Sequence, residues 1–409
     1  MSTLKVNTVL SADTPTVNIT DGLSVSGVST LSSGLKVGTA ATISANGNVT
    51  CGIITTTNIV NSTQLSNRNL IINGAMQVAQ RGDTASVTSG YGGADRFKFD
   101  RDGATAVTLK QGGSGVSPVS EGFSYCQHID ITTADTSMGS ANYNLLTTRL
   151  EGYNLQGIQK GTANARELTL SFYIKSTVTG TYIAELVDQS NSARHVNKAY
   201  TVSASNTWEH KVITFPADTT GTITSDHNRR LDINWWLGAG STYNSGTLQT
   251  SWGSDTDANR AVGQVNAVNS ASNDIMITGV QLEVGSVATP FEHRSYADEF
   301  LRCCRYYFFT NAQHFFIARG NNSDGFVGFV ETQVPLRASP SVTLTAGLRH
   351  WGIDSNSSST TTPTIPSFRA NQKGIRINQT GHSGVNDDCV MTVQTDGNDG
   401  QGLAFDSEL

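Results

Sequence analysis

The chain has 409 residues, of which 37% are hydrophobic and only 15% charged, both below the ordinary globular share. Its 40 glycines, with Ser, Thr and Asn, fill the gap beside only 8 prolines, which excludes a helical bundle and suits short strands with many turns. A formal net charge of −6, with no basic cluster beyond Arg229-Arg230, excludes a nucleic-acid footprint, and the lack of a run of about eighteen apolar residues excludes membrane insertion.

Residues 1–68 read as a separate segment. The opening Met1-Ser-Thr-Leu-Lys-Val6 lacks the apolar core of a secretory signal, so a reducing cytosol is the expected place of synthesis. Up to residue 67 the only charges are Lys5, Asp13, Asp21 and Lys36. A weak self-similarity at an offset of about 25 residues aligns Gly22 with Gly47, Gly27 with Gly52 and Val28 with Ile53. Each unit reads as a short strand followed by a Gly turn. Without an aromatic, one copy cannot bury enough area to offset an ordering cost of about 1–2 kcal/mol per residue. The expected arrangement is a fibrous, intertwined β segment built from several copies of the chain. Composition alone also suits a Ser/Thr-rich linker.

Residues 69–290 have the composition of a β domain. Strands are expected at Arg96–Phe99, Ala106–Leu109, Tyr125–Ile131, Leu168–Ile174, Tyr182–Val187, Trp208–Phe215, Leu231–Leu237 and Asp274–Val284. Such spacing without helical periodicity predicts an antiparallel β-sandwich of the jelly-roll kind. Val280, Leu282 and Val284 alternate with Gln281 and Glu283, the pattern of a half-buried strand. Gly285 and Pro290 end it. Ser295 with Asp298 predicts the N-cap of a short helix over 295–304, with Tyr296, Phe300, Leu301 and Cys304 on one face. Residues 291–307 are then a cap helix and connector.

Residues 308–409 predict a small C-terminal β domain, with strands at Phe315–Ile317, Phe326–Val330, Val342–Leu344, Gly374–Ile377 and Val390–Val393 and a loop over Ser355–Pro366. The fold class is therefore all-β: a fibrous N-terminal segment, a central sandwich, one cap helix and a C-terminal β tip.

Several words of the chain carry a resemblance. Asn69-Leu-Ile-Ile-Asn-Gly-Ala-Met-Gln-Val-Ala-Gln-Arg-Gly82, Ala94-Asp-Arg-Phe97, Leu168–Lys175, Asn206–Pro216 and Gly279-Val-Gln-Leu-Glu-Val-Gly285 through Arg305-Tyr-Tyr307 resemble a module of bacteriophage tail fibre proteins, over roughly residues 69–307. The opening Ser2-Thr-Leu-Lys-Val-Asn-Thr-Val9 is similar to the N-termini of fibre-like proteins of marine cyanobacterial phages. The resemblance implies a homotrimer located in the virion and made in the cytoplasm of the host bacterium. It implies an N-terminal end that docks on other virion proteins, a jelly roll like carbohydrate-binding modules, and a C-terminal tip that meets bacterial surface polysaccharide or lipopolysaccharide. Cys303-Cys304 stands where the family has a single Cys followed by Gln, and is expected to pack on the helix face. A structural head fibre, collar or adaptor protein is the alternative, and a glycan depolymerase ranks third.

The residues themselves favour binding over catalysis, and no enzyme activity is expected. The carboxylates are dispersed, without the convergent pair that glycan cleavage needs. The five cysteines (Cys51, Cys126, Cys303, Cys304, Cys389) and eight histidines show no metal-ligand spacing, so no cofactor is expected. Asp255-Thr-Asp257 and Asn386-Asp-Asp388 offer oxygens of the kind a structural calcium takes, and turn chemistry accounts for the same residues without an ion. Trp235 and Trp236, adjacent on a strand, must face opposite sides of the sheet, one in the core and the other exposed or under a loop. The expected sugar-binding residues are Tyr243 and Trp252 in the following loop, and Trp351 with His350 at the tip.

Overall fold

A computed structural model describes residues 67–113 and 115–310, and from the rest the segments 35–37, 41–43, 49–51, 315–322, 325–344, 347–352, 355–359, 367–371, 374–380, 390–396 and 402–409. The chain divides into two units, residues 1–61 and 62–409. In the first, β1 (Leu35–Val37), β2 (Ala41–Ile43) and β3 (Val49–Cys51) form an antiparallel meander.

The second unit is built on two six-stranded antiparallel sheets. Its strands are β4 (Thr84–Val87), β5 (Gly90–Tyr91), β6 (Lys98–Asp102), β7 (Ala106–Gly112), β8 (Cys126–Thr133), β9 (Tyr143–Glu151), β10 (Leu168–Ser176), β11 (Gly180–Asp188), β12 (Arg194–Val202), β13 (Glu209–Phe215), β14 (Arg229–Ala239) and β15 (Asp274–Val284). Sheet I runs β13-β10-β15-β8-β7-β4 and sheet II runs β12-β11-β14-β9-β6-β5. Their facing sides close one core, with Phe97, Phe172 and Trp235 at its centre. Phe172 meets Trp235 edge-on at 5.8 Å, an arrangement the ring quadrupoles favour. The expected sandwich is present.

Two expectations change. Strand β15 is buried on both faces, because Gln281 and Glu283 are covered as completely as Val280 and Leu282. Residues 289–292 fold back over its outer face, where Thr289 N donates to Glu283 and Glu292 N to Gln281. Arg96 does not begin a strand: it takes a left-handed φ of 73°, and β6 starts at Lys98.

Helix α1 (Ser241–Asn244) is a single turn, and α2 (Tyr296–Cys304) is the expected cap helix. The Ser295 hydroxyl accepts from Asp298 N at 3.2 Å and donates to the Asp298 carboxylate at 2.7 Å, a reciprocal N-cap. Its buried face is Glu299, Cys303 and Cys304, whereas Tyr296 and Leu301 point outward. The difference has a polar cause: Glu299 accepts from Asn73 N at 2.7 Å and turns that side of the helix inward. Burial carries the Cys303 thiol well above its ordinary pKa and that of Cys304 to about 12, so both are packing groups.

Beyond α2, β16 (Tyr307–Thr310), β25 (Leu403–Asp406) and β19 (Ser341–Leu344) form one sheet. A seven-stranded sheet contains β17 (Phe315–Asn322), β18 (Gly325–Glu331), β20 (Gly347–Gly352), β21 (Ser355–Ser359), β22 (Ser367–Asn371), β23 (Gly374–Thr380) and β24 (Val390–Asp396). Part of the expected loop 355–366 is thus strand β21, a run of Ser and Asn that pairs with β20.

Polar groups tie this region to the sandwich. The Arg96 guanidinium lies 3.5 Å over the Tyr306 ring and pairs with Glu408. Arg305 grips Glu151 through two bonds of 2.9 Å, and Arg81 sits 3.6 Å over Tyr307. Three of the words that carry the fibre resemblance, 69–82, 94–97 and 279–307, therefore meet at one structural joint, while 168–175 and 206–216 belong to sheet I.

Candidate functional site: a groove on the outer face of sheet II

Cross-strand partners share a face of a sheet, and the register of sheet II sets three rows on its outer side. Asp100, Leu145 and Trp236 form one; Lys98, Thr147, Asn234 and Glu185 a second; Arg149, Asp232 and Val187 a third. The connection after β14 returns over these rows. It places Tyr243, from α1, and Arg260 as one wall of a groove of about 220 Å³, with Trp236 lining it and Tyr143 opposite Tyr243, their rings edge-to-face at 5.8 Å. Trp235 and Trp236 do face opposite sides. Trp236 is fully buried because the loop covers it, with the Arg260 guanidinium 5.3 Å from its ring.

The charged groups of the groove are neutralised in pairs. Arg260 holds Glu185 through bonds of 2.7 and 2.9 Å, and Asn234 adds a third at 2.8 Å. Burial alone would raise the Glu185 carboxyl, but the Arg260 charge and these bonds carry it below its ordinary value. Arg229 and Gln189 both donate to Asp232, each at 2.7 Å, and Arg149 reaches Asp100 at 3.3 Å. Three atoms on the lining are left over. Thr147 Oγ1, Arg149 Nε and Trp236 Nε1 are buried without a hydrogen-bond partner among the described residues, a state that buried polar atoms rarely keep unless something else satisfies them.

Behind the wall lies His195, fully buried. Thr256 N donates to its Nε2 at 3.1 Å, so the neutral ring carries its proton on Nδ1. With its amide oxygen accepting from Nδ1 at 2.8 Å, Asn197 donates to Glu185 and to the Arg260 carbonyl. Burial lowers the His195 pKa below 6.5, outweighing the opposing pull of Glu185, Asp255 and Asp257 and assisted by Arg260. The unfolded chain then binds the proton more readily than the folded one. This contribution to stability is expected to be complete above pH 6.5 and to be lost as pH falls through the depressed folded value. Denaturation midpoints followed downward from pH 7 check the sign; a gain on acidification would contradict it.

Of the expected sugar-binding residues, Tyr243 lines the groove. Trp252 does not: it packs against the sandwich core, and its Nε1 donates to Pro216 O at 2.9 Å. His350 and Trp351 lie on β20, opposite Val393 and Thr392 of β24, and their side chains fall outside the described residues. Tyr143, Thr147, Arg149 and Arg260 escaped the sequence reading. The alternation Tyr143-x-Leu145-x-Thr147-x-Arg149 was the available signal for three of them; Arg260, alone in a long loop, had none.

Among the described residues no group of three or more His, Cys, Asp or Glu is placed to hold a metal ion. Asp257 faces Arg260 at 3.5 Å and Asp255 faces His195 at 3.7 Å, while 386–388 fall outside the described residues. One cage of cation-binding oxygens is present and is filled from within. Lys160 Nζ sits 2.5 Å from Asp188, 2.8 Å from Asp218, 2.9 Å from Gly221 O and 3.1 Å from Thr220 O.

No family model matches the chain, and no curated protein matches it. Among solved structures it is similar to the enzymatically active domain of tailspike protein 4 of Bacteriophage CBA120, at 14% identity and a TM-score of 0.29, over 53% of this chain and 21% of that one. It is also similar to a family 11 carbohydrate-binding module of a cellulosomal cellulase from Clostridium thermocellum, at 12% identity and a TM-score of 0.26, over 52% of this chain and 98% of the module. A third is the tandem of family 22 carbohydrate-binding modules from Paenibacillus barcinonensis Xyn10C, at 10% identity and a TM-score of 0.23, over 76% of this chain and 91% of the tandem.

Proposed function

We propose that the chain is a homotrimeric phage fibre protein that holds bacterial surface polysaccharide or lipopolysaccharide in the groove of sheet II. The observation that carries the glycan part is the pairing of two half-buried aromatic walls, Tyr143 and Tyr243, with half-buried polar side chains along the same groove, Arg149, Gln189 and Arg229. A pyranose brings an apolar face for the rings and hydroxyls that both donate and accept. Because Asp100, Asp232 and Glu185 are each committed to an arginine, none is free as a general acid or base, and the groove suits binding rather than cleavage. A groove of this size takes about one ring, so affinity would come from several copies acting together. The virion setting, the docking of residues 1–68 on other virion proteins and the trimer rest on the fibre-like words and on the repeats that one copy cannot bury.

The test is retention of the full chain in gels cast with purified bacterial O-polysaccharides. Tyr243→Ala, at a half-buried wall position, is expected to weaken retention about tenfold, equivalent to about 1.4 kcal/mol. Equal retention of the variant would remove the groove from the reading, and a purely monomeric species in sedimentation would remove the trimer. One observation favours the structural alternative: three of the fibre-like words build the joint, and no residue of any of the five lines the groove. That alternative predicts no retention by any polysaccharide.

A further inference from the structure

We propose that the cleft between sheet I and the start of α2 is a second saccharide site, separate from the groove of sheet II. The cleft has a volume of about 540 Å³, against about 220 Å³ for the groove. Two tyrosines stand on its walls, Tyr296 at 60% and Tyr125 at 38% exposure. One exposed tyrosine needs no explanation. Two across one cleft, beside an amide and a carboxylate that are open to solvent and not taken by a protein partner, make a surface shaped for a ligand. Neither phenol hydroxyl, nor the Gln77 amide, nor the Asp83 carboxylate has a hydrogen-bond partner among the described residues, although all four residues line the cleft.

The remaining groups decide the class of ligand. Arg294 is spent on the carbonyls of Ile71 and Asn69, and Gln111 on Met76 O at 2.7 Å. With its one arginine committed and a free carboxylate beside it, the cleft disfavours an anion. A single carboxylate is too little for a metal ion. Aromatic faces beside an amide and a carboxylate match an uncharged sugar segment, its C–H faces on the tyrosines and its hydroxyls on Gln77 and Asp83. At this volume the cleft accepts more than one ring, where the groove accepts about one. Two sites on one chain would raise the effective concentration for a long polymer without strengthening either contact.

The proposal shares the glycan reading of the groove but none of its residues, and the test separates them. Purified O-polysaccharides, and a short repeat-unit oligosaccharide from each, are titrated into the full chain, into Tyr125→Ser/Tyr296→Ser and into Tyr143→Ala/Tyr243→Ala. The cleft variant alters two exposed tyrosines whose hydroxyls make no hydrogen bond among the described residues, and is checked by circular dichroism and sedimentation. It is expected to bind the polymer about tenfold more weakly and to take one oligosaccharide per chain where the unaltered chain takes two. Unchanged polymer binding overturns the second site, as does a changed sedimentation coefficient, which would make the cleft a contact between copies. Loss in the cleft variant with none in the groove variant keeps the cleft and removes the groove. Binding by none of the three proteins overturns both.

Discussion

Arg260→Met is expected to lose polysaccharide retention and about 3–5 kcal/mol of stability together, because one guanidinium serves both purposes. Removing it leaves Glu185, which has no exposed surface, as an uncompensated buried charge, and breaking a buried pair costs about 3–5 kcal/mol. It also removes the cation beside Trp236 and Tyr243, so the groove wall loses its brace. The sign with pH reverses in the variant. In the unaltered chain the folded Glu185 pKa is depressed, so its contribution is present above 4.5 and is lost as pH falls through the folded value. Without Arg260, burial dominates and raises that pKa, so the variant weakens further as pH climbs past 4.5. Denaturant midpoints at pH 4.5 and 7 read this directly. Glu185→Gln placed on Arg260→Met is expected to recover most of the loss, since neutralising both members removes the stranded charge. A double variant no more stable than Arg260→Met would show that the loss comes from packing.

The sandwich was legible because its strongest strands are apolar at alternate positions and bounded by Gly, Asn and Asp. Strands β10, β11, β14 and β15 announce themselves in this way, and two adjacent tryptophans on β14 had to take opposite faces. Strand β9 did not. Its sequence, Tyr143-Asn-Leu-Leu-Thr-Thr-Arg-Leu-Glu151, mixes polar and apolar residues on both faces, because Asn144 and Thr148 are buried alongside Leu146 and Leu150. That mixture follows from its position between β14 and β6, covered on one side by the core and on the other by the groove and its loop. Four of the thirteen residues that line the groove, Tyr143, Leu145, Thr147 and Arg149, were hidden for the same reason.

The fibre-like words were legible as a resemblance and opaque as to purpose. Arg96 reads as a strand residue, yet it is a buried cation in left-handed backbone. Glu299 lies in the first turn of α2, where an acid suits the helix dipole, yet it accepts from Asn73, which lies 226 residues earlier in the chain. Contacts of such sequence separation leave no periodic trace. The loop aromatics were ambiguous from the start: Tyr243 and Trp252 lie nine positions apart with similar surroundings, and only the path of the loop sends one to the groove and the other to the core.

Lys160→Met should be about as costly as the loss of Arg260, while leaving the groove intact. The Lys160 ammonium is the cation of an oxygen cage whose two carboxylates, Asp188 and Asp218, are almost fully buried. Burial would raise the Asp218 carboxyl, but the bonds from Lys160 and Arg194 hold it below its ordinary value. With the ammonium gone, Asp218 keeps Arg194 at 3.1 Å, whereas Asp188 keeps only neutral donors such as Asn191 at 2.8 Å. The expected loss is about 3–5 kcal/mol, read as a fall in the denaturant midpoint at pH 7. Trp252, whose ring lies 5.0 Å from Lys160 Nζ, supplies a local fluorescence signal of the same event. Polysaccharide retention by the folded variant should match that of the unaltered chain, because Lys160 touches no residue of the groove wall. Calcium should leave the midpoint of the unaltered chain where it is, since the ammonium already fills the cage. A rise in that midpoint with calcium would place an ion elsewhere in the molecule, and a Lys160→Met variant of unchanged midpoint would mean that water enters the cage and screens the two carboxylates.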